Sequence, residues 1–126
     1  MGKLIFFVDD DKMILNLLEY TFQSRKNYNV KTFLSGEDCL KNLSQNPDLI
    51  VLDHVLSGSK EGQMDGMDTM KMINQQNPDI PVIILTGYGD DELLAEFMAS
   101  GATRFLTKDD YFIDSLIDAI GQIINQ

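Results

Sequence analysis

With 126 residues the chain has the length of one domain, enough to bury roughly 65–70% of its unfolded surface in a single core. Its formal charge of −10 leaves no basic stripe to displace counterions from a phosphate backbone, which argues against nucleic acid and against an anionic membrane surface as partners. One cysteine, Cys39, excludes an intrachain disulfide framework; no run approaches the ~18–20 apolar residues of a membrane span, and the apolar stretch after Lys3 is too short for a secretory signal, so cytoplasmic residence is expected.

The chain opens on an apolar strand, Leu4–Val8, that runs into Asp9, Asp10 and Asp11. From about Lys12 to Arg25, Ile14, Leu17, Leu18, Thr21 and Phe22 recur at three- and four-residue steps, which predicts a helix with one buried face. Asn29–Phe33 reads as a second strand. Ser35 with Asp38 makes a capping-box pattern opening a helix through Cys39, Leu40 and Leu43, stopped by Asn46-Pro47. Cys39 is expected to be a small core residue of that helix.

Leu49–Leu52 is apolar throughout, as a central parallel strand covered on both faces must be, and it ends on Asp53. After a polar loop from His54 to Gly66, a helix is predicted from about Met67 to Gln76, ending before Asn77-Pro78. Val82–Leu85 is a further apolar strand ending on Thr86. Asp90 caps a helix reaching Ser100, with Gly101 as its C′ glycine. Arg104–Thr107 is the last strand, delivering Lys108, and the closing helix carries Ile113, Leu116, Ile117, Ile120, Ile123 and Ile124 on one stripe. Five strands alternating with five helices predict an α/β fold: right-handed crossovers, a parallel sheet and helices on both faces.

In such a sheet the carboxyl ends of the strands line one crevice, where ligands bind. Three acids, a fourth acid, a hydroxyl and an ammonium are therefore expected to converge. Adjacent carboxylates with a third from the neighbouring strand make a hard oxygen cage suited to magnesium. Asp53, with limited water access, can act as a phosphoryl acceptor. Thr86 offers a hydroxyl beside Gly87, which leaves room for a phosphoryl group, and Lys108 can pair with Asp53 at rest and with a phosphoryl oxygen afterwards. Singly, each residue has an ordinary reading: Asp9–Asp11 as helix caps, Asp53 as a turn residue, Lys108 as a solvated lysine. Their joint occurrence at one end of successive strands favours the phosphoryl site.

Over essentially its whole length the chain resembles the receiver domain of two-component response regulators. The matching motifs are Phe7-Val8-Asp9-Asp10-Asp11, Leu49-Ile50-Val51-Leu52-Asp53, Met64-Asp65-Gly66, Pro81 to Gly87, Ser100-Gly101-Ala102 and Phe105-Leu106-Thr107-Lys108. The resemblance implies a single receiver domain over residues 1–126, acting alone, with a five-stranded doubly wound sheet in the flavodoxin-like order 2-1-3-4-5. It implies that Asp53 is the phosphoacceptor, taking its group from a phosphohistidine on a sensor histidine kinase or a histidine phosphotransfer protein. Magnesium would be held directly by Asp10, through water mainly by Asp9, and by Asp53 and the backbone carbonyl of Val55. Thr86 and Lys108 would grip the new phosphate oxygens, and Phe105 would be the switch aromatic that reshapes a protein-interaction face for a downstream target; its ordinary reading is a plain core aromatic. The domain would catalyse its own phosphorylation and slow dephosphorylation rather than act as an enzyme on other substrates.

Two departures from the family pattern carry expectations of their own. Asp65 lies 12 residues after Asp53, farther than is usual, and Ser57 stands where proline is common. The inserted loop around Ser57–Gly62 is expected to screen Asp53 and alter phosphate lifetime or partner choice, an idea that equal dephosphorylation rates after its deletion would remove; a passive surface insertion is the other reading. Lys108 is followed by Asp109 rather than proline; the 108–109 peptide is nonetheless expected to be cis, with Lys108 reaching Asp53. Tyr88 and Val55 flank the phosphoryl position, and a bulky Tyr88 is expected to slow the attacking water. Two other functional classes stay open at this point: a hydrolase with an aspartate nucleophile, disfavoured because Val55 stands where such enzymes place a second acid, and a non-phosphorylated interaction module on the same fold.

Overall fold

A strand buried on both faces alternates its side chains between two helical layers, and the odd and even residues of this chain separate in that way. The computed structural model describes residues 2–25, 27–56, 64–87 and 90–124. Five strands, β1 (Lys3–Val8), β2 (Tyr28–Phe33), β3 (Leu49–Asp53), β4 (Val82–Thr86) and β5 (Arg104–Thr107), form one parallel sheet in the order β2-β1-β3-β4-β5. Five helices connect and follow them: α1 (Lys12–Gln23), α2 (Gly36–Lys41), α3 (Gly66–Gln76), α4 (Asp91–Ala99) and α5 (Phe112–Ile124). The predicted fold class and strand order are those observed.

Even-numbered strand residues Phe6, Val8, Ile50, Leu52, Val82 and Ile84 pack with Cys39 of α2, Met70 and Ile73 of α3 and Phe97 of α4. Odd-numbered Ile5, Phe7, Leu49, Val51, Ile83 and Leu85 pack with Leu15, Leu18 and Phe22 of α1 and Leu116, Ala119 and Ile120 of α5. Two cores thus share one sheet, with every residue of β3 and β4 buried.

The local signals act as the sequence predicts at most ends. Asp11 caps α1 by accepting from the N–H groups of Met13 and Ile14, Ser35 caps α2 by accepting from Asp38 N–H, and Asp90 caps α4. Gly101 has φ of +106°, the left-handed region that ends a helix without a Cβ penalty. Three expectations are corrected. On α1, Leu18 and Phe22 are buried as predicted, but Leu15 takes the third core position and Leu17 stands 45% exposed. Leu43 lies in a separate 3-10 turn, Leu43–Gln45, because Asn42, with φ −109° and ψ 8°, ends α2 before it. The 108–109 peptide is trans, and there is no cis bond among the described residues. Without proline the cis form costs about 2.5–4 kcal/mol, and the trans chain lets Lys108 N–H donate to Thr86 O at 2.7 Å, extending the β4–β5 ladder. Among the described residues no helix is long and apolar enough to cross a membrane.

Candidate functional site

Register brings the strand ends level. Val8 lies opposite Leu52, which sets Asp9 beside Asp53, and Thr86 lies opposite Thr107, which sets Lys108 just beyond it. Asp9, Asp53 and Thr86 are buried although polar, and Lys108 reaches in from the end of β5. Its Nζ lies 2.7 Å from Asp53 Oδ1 and 3.0 Å from Asp9 Oδ2, so one ammonium bridges two carboxylates. Lys108 therefore meets Asp53, as expected, and meets Asp9 as well.

Charge balance at this edge is uneven. Burial pushes the Asp53 carboxyl up to about 6, with Asp9 adding repulsion and Lys108 only partly offsetting it. Burial likewise raises Asp9, against the pull of the Asp11 N–H and of Lys108. For Lys108, burial works to lower the pKa, but its hydrogen bonds and charge interactions with Asp53 and Asp9 outweigh that effect and leave it raised. An ion pair alone would lower the carboxyls; at Asp9 and Asp53 the cost of burial outweighs the pull of Lys108.

Asp10 completes the acidic set. Asp9, Asp10 and Asp53 each present a ligand atom, and these atoms lie within 4.8 Å of one another. Hard carboxylate oxygens at that spacing can hold a divalent cation. Asp11 turns away to cap α1, so the run of three aspartates divides between cage and helix.

The other predicted residues lie around this edge. Thr86 is fully buried at the end of β4, and a Cβ at Gly87 would meet nothing within 4 Å, so the space beside it is open. Val55 is 53% exposed two residues beyond Asp53. Phe105 is half-buried on β5, its ring 6.0 Å from that of Phe97. Tyr88 and the 57–63 segment lie outside the described residues.

Two residues with a part at this edge were not singled out by sequence reasoning. His54 places Nδ1 3.4 Å from Thr86 Oγ1; its only sequence signal is an imidazole directly after the strand-terminal Asp53. Glu37 of α2 accepts from Met64 N–H across 27 positions of sequence, a contact with no local signature. The Met64-Asp65-Gly66 motif also gains a physical reason. A Cβ on Gly66 would lie 2.5 Å from the carbonyl oxygens of both Asp53 and His54, so only glycine lets α3 start against the backbone that presents Asp53.

A family model described as the response regulator receiver domain matches residues 5–120. The chain belongs to the response regulator receiver family. Among curated receivers it is 35% identical over 109 residues to the alkaline phosphatase synthesis transcriptional regulatory protein PhoP of Bacillus subtilis, covering 86% of this chain and 43% of that one. It is 34% identical over 108 residues to the transcriptional regulatory protein ZraR of Salmonella typhimurium, covering 85% and 23%. The chain thus spans less than half the length of these relatives. Among solved receivers, the BeF3-activated DrrB receiver domain superposes with a TM-score of 0.85 at 31% identity, covering all of both chains. The response regulator DrrB, a Thermotoga maritima OmpR/PhoB homologue, gives 0.80 at 32% identity, covering 96% of this chain and 52% of that one.

Proposed function

We propose that Asp53 is the phosphoacceptor of this receiver and that residues 1–126 work as one unit around it. One observation carries the reading: a buried carboxylate, its pKa raised, sits on the strand-end lysine and within ligand distance of two further acids. A partner histidine kinase or histidine phosphotransfer protein would supply the phosphohistidine. An Asp53 carboxylate oxygen attacks phosphorus, the N–P bond breaks, and the imidazole leaves with its electron pair. Asp9, Asp10, Asp53 and the Val55 carbonyl would hold magnesium, which when bound offsets the charge on the transferring group.

The remaining steps belong to the protein's own side chains. Lys108 is already 2.7 Å from Asp53 and passes to a phosphoryl oxygen once that carboxylate has become an acyl phosphate. The Thr86 hydroxyl donates to another phosphoryl oxygen, and Phe105 follows it, altering the surface offered to a downstream target. Autodephosphorylation reverses the chemistry with water as nucleophile, releasing inorganic phosphate and restoring the carboxylate. Cytoplasmic residence, where a phosphohistidine donor would be met, belongs with this reading.

Incubation with Mg²⁺ and acetyl phosphate, followed by mass spectrometry, is expected to give one phosphoryl adduct, on Asp53, lost in Asp53→Asn. Adduct formation at an unchanged level in that variant would overturn the assignment.

A further inference from the structure

His54 is held at both ends of its backbone. Its N–H donates to Leu85 O at 2.7 Å, and its carbonyl accepts from Gly66 N–H at 3.2 Å, against a glycine that admits no side chain there. The imidazole therefore projects from a fixed base. On one side its Nδ1 lies 3.4 Å from Thr86 Oγ1. A hydroxyl both donates and accepts, so the contact holds in either imidazole tautomer. On the other side the ring stands edge-on to Phe97, with centroids 5.7 Å apart and planes at 88°. Phe97 is fully buried, and its ring in turn meets Phe105 at 6.0 Å. A polar contact and two aromatic contacts thus join Thr86 to Phe105 by way of a residue outside the phosphoryl-transfer set.

We propose that His54 is a positioning residue: it holds the Thr86 hydroxyl in the resting protein and, through Phe97, ties that hydroxyl to the ring of Phe105. The inference rests on the reading of Asp53 as phosphoacceptor, because a phosphoryl group arriving there competes with His54 for the Thr86 hydroxyl. In the tautomer where Nδ1 is the acceptor, the hydroxyl cannot point its hydrogen at His54 and at a phosphoryl oxygen together, and the proposal takes that tautomer as the resting one. Phosphorylation then breaks the imidazole contact, and the ring is free to repack against Phe97. A ligand shifts such an equilibrium only by its differential interaction with the two states. His54 adds to the resting side of that difference.

Spatial adjacency alone does not establish coupling, so the test is a double-mutant cycle in the full chain. His54→Phe keeps a ring against Phe97 and removes the nitrogen. It is expected to bind beryllofluoride with Mg²⁺ roughly two- to fivefold more tightly than wild type, the scale of one weak neutral hydrogen bond. In its unliganded NMR spectrum the Thr86 methyl and Phe105 ring signals are expected to move partway toward their beryllofluoride-bound positions. His54→Asn, which restores a hydrogen-bonding group near Nδ1, is expected to return both readouts to wild type, and in a Thr86→Ala background His54→Phe is expected to change nothing. His54→Leu serves the same comparison if His54→Phe does not fold. Unchanged or weaker beryllofluoride binding in a folded nitrogen-free variant, or the same gain without Thr86, would overturn the role of His54 while leaving Asp53 intact. Wild type that takes up no beryllofluoride at all would overturn the phosphoacceptor reading and the His54 role together.

Discussion

The interior of the sheet and its carboxyl edge are made on opposite principles. Up to their last residues, Asp53 and Thr86, strands β3 and β4 put only buried apolar side chains into the two cores, whereas at the carboxyl ends Asp9 and Asp53 share one ammonium and Asp10 adds a further acid. Apolar burial is indifferent to pH, ions and phosphate. The edge depends on all three, so a small chemical event can move it while the sheet stays put.

The comparison can be broken first at the interior. Phe6→Ala, at a site with no exposure, is expected to cost about 3–5 kcal/mol in urea unfolding while leaving the Mg²⁺ affinity of the folded protein close to wild type. Removing the counterion at the edge comes next. Lys108→Met strands two buried carboxylates, and because the lysine is partly solvated the expected loss is about 2–4 kcal/mol at pH 7 without metal. Acidification should recover part of that loss as the carboxylates protonate, an outcome no apolar truncation would give.

Asp53→Asn sharpens the contrast from the other direction. Folding raises this carboxyl from 3.8 to about 6, so the folded state holds the proton more tightly than the unfolded chain. Its contribution to stability is therefore most favourable in acid and declines as pH rises between those two values. The raised Asp9 acts in the same sense. At pH 7 without metal, Asp53→Asn is expected to stabilise the fold by about 1–3 kcal/mol, and urea melts from pH 4 to 7 are expected to fall for wild type and to flatten for the variant. Added Mg²⁺ is expected to raise the wild-type melting temperature more than that of the variant. The smallest effect is expected at Cys39. Burial pushes its thiol up to about 12, so iodoacetamide should leave it unmodified in native buffer and alkylate it in urea.

Legibility in the sequence follows the same division. Continuous apolar runs announce the strands, and their last residues name most of the edge, because a parallel sheet allows only one side for the carboxyl ends. Periodicity is weaker where a helix offers more apolar residues than its face can cover: α1 carries Leu15, Leu17 and Leu18 in one turn, and packing against β1 and α5 decided among them. The trans 108–109 peptide reflects a local backbone cost that the resemblance to proline-bearing relatives obscured. His54 and Glu37 act through contacts across 32 and 27 positions of sequence, and no periodicity reports such contacts.

Leu56 is buried, Met64 N–H is taken by Glu37, and Gly66 N–H is taken by His54 O. The first residue of α3 is therefore moored to the backbone directly after Asp53, and a shift of that helix end would be felt at the carboxylate.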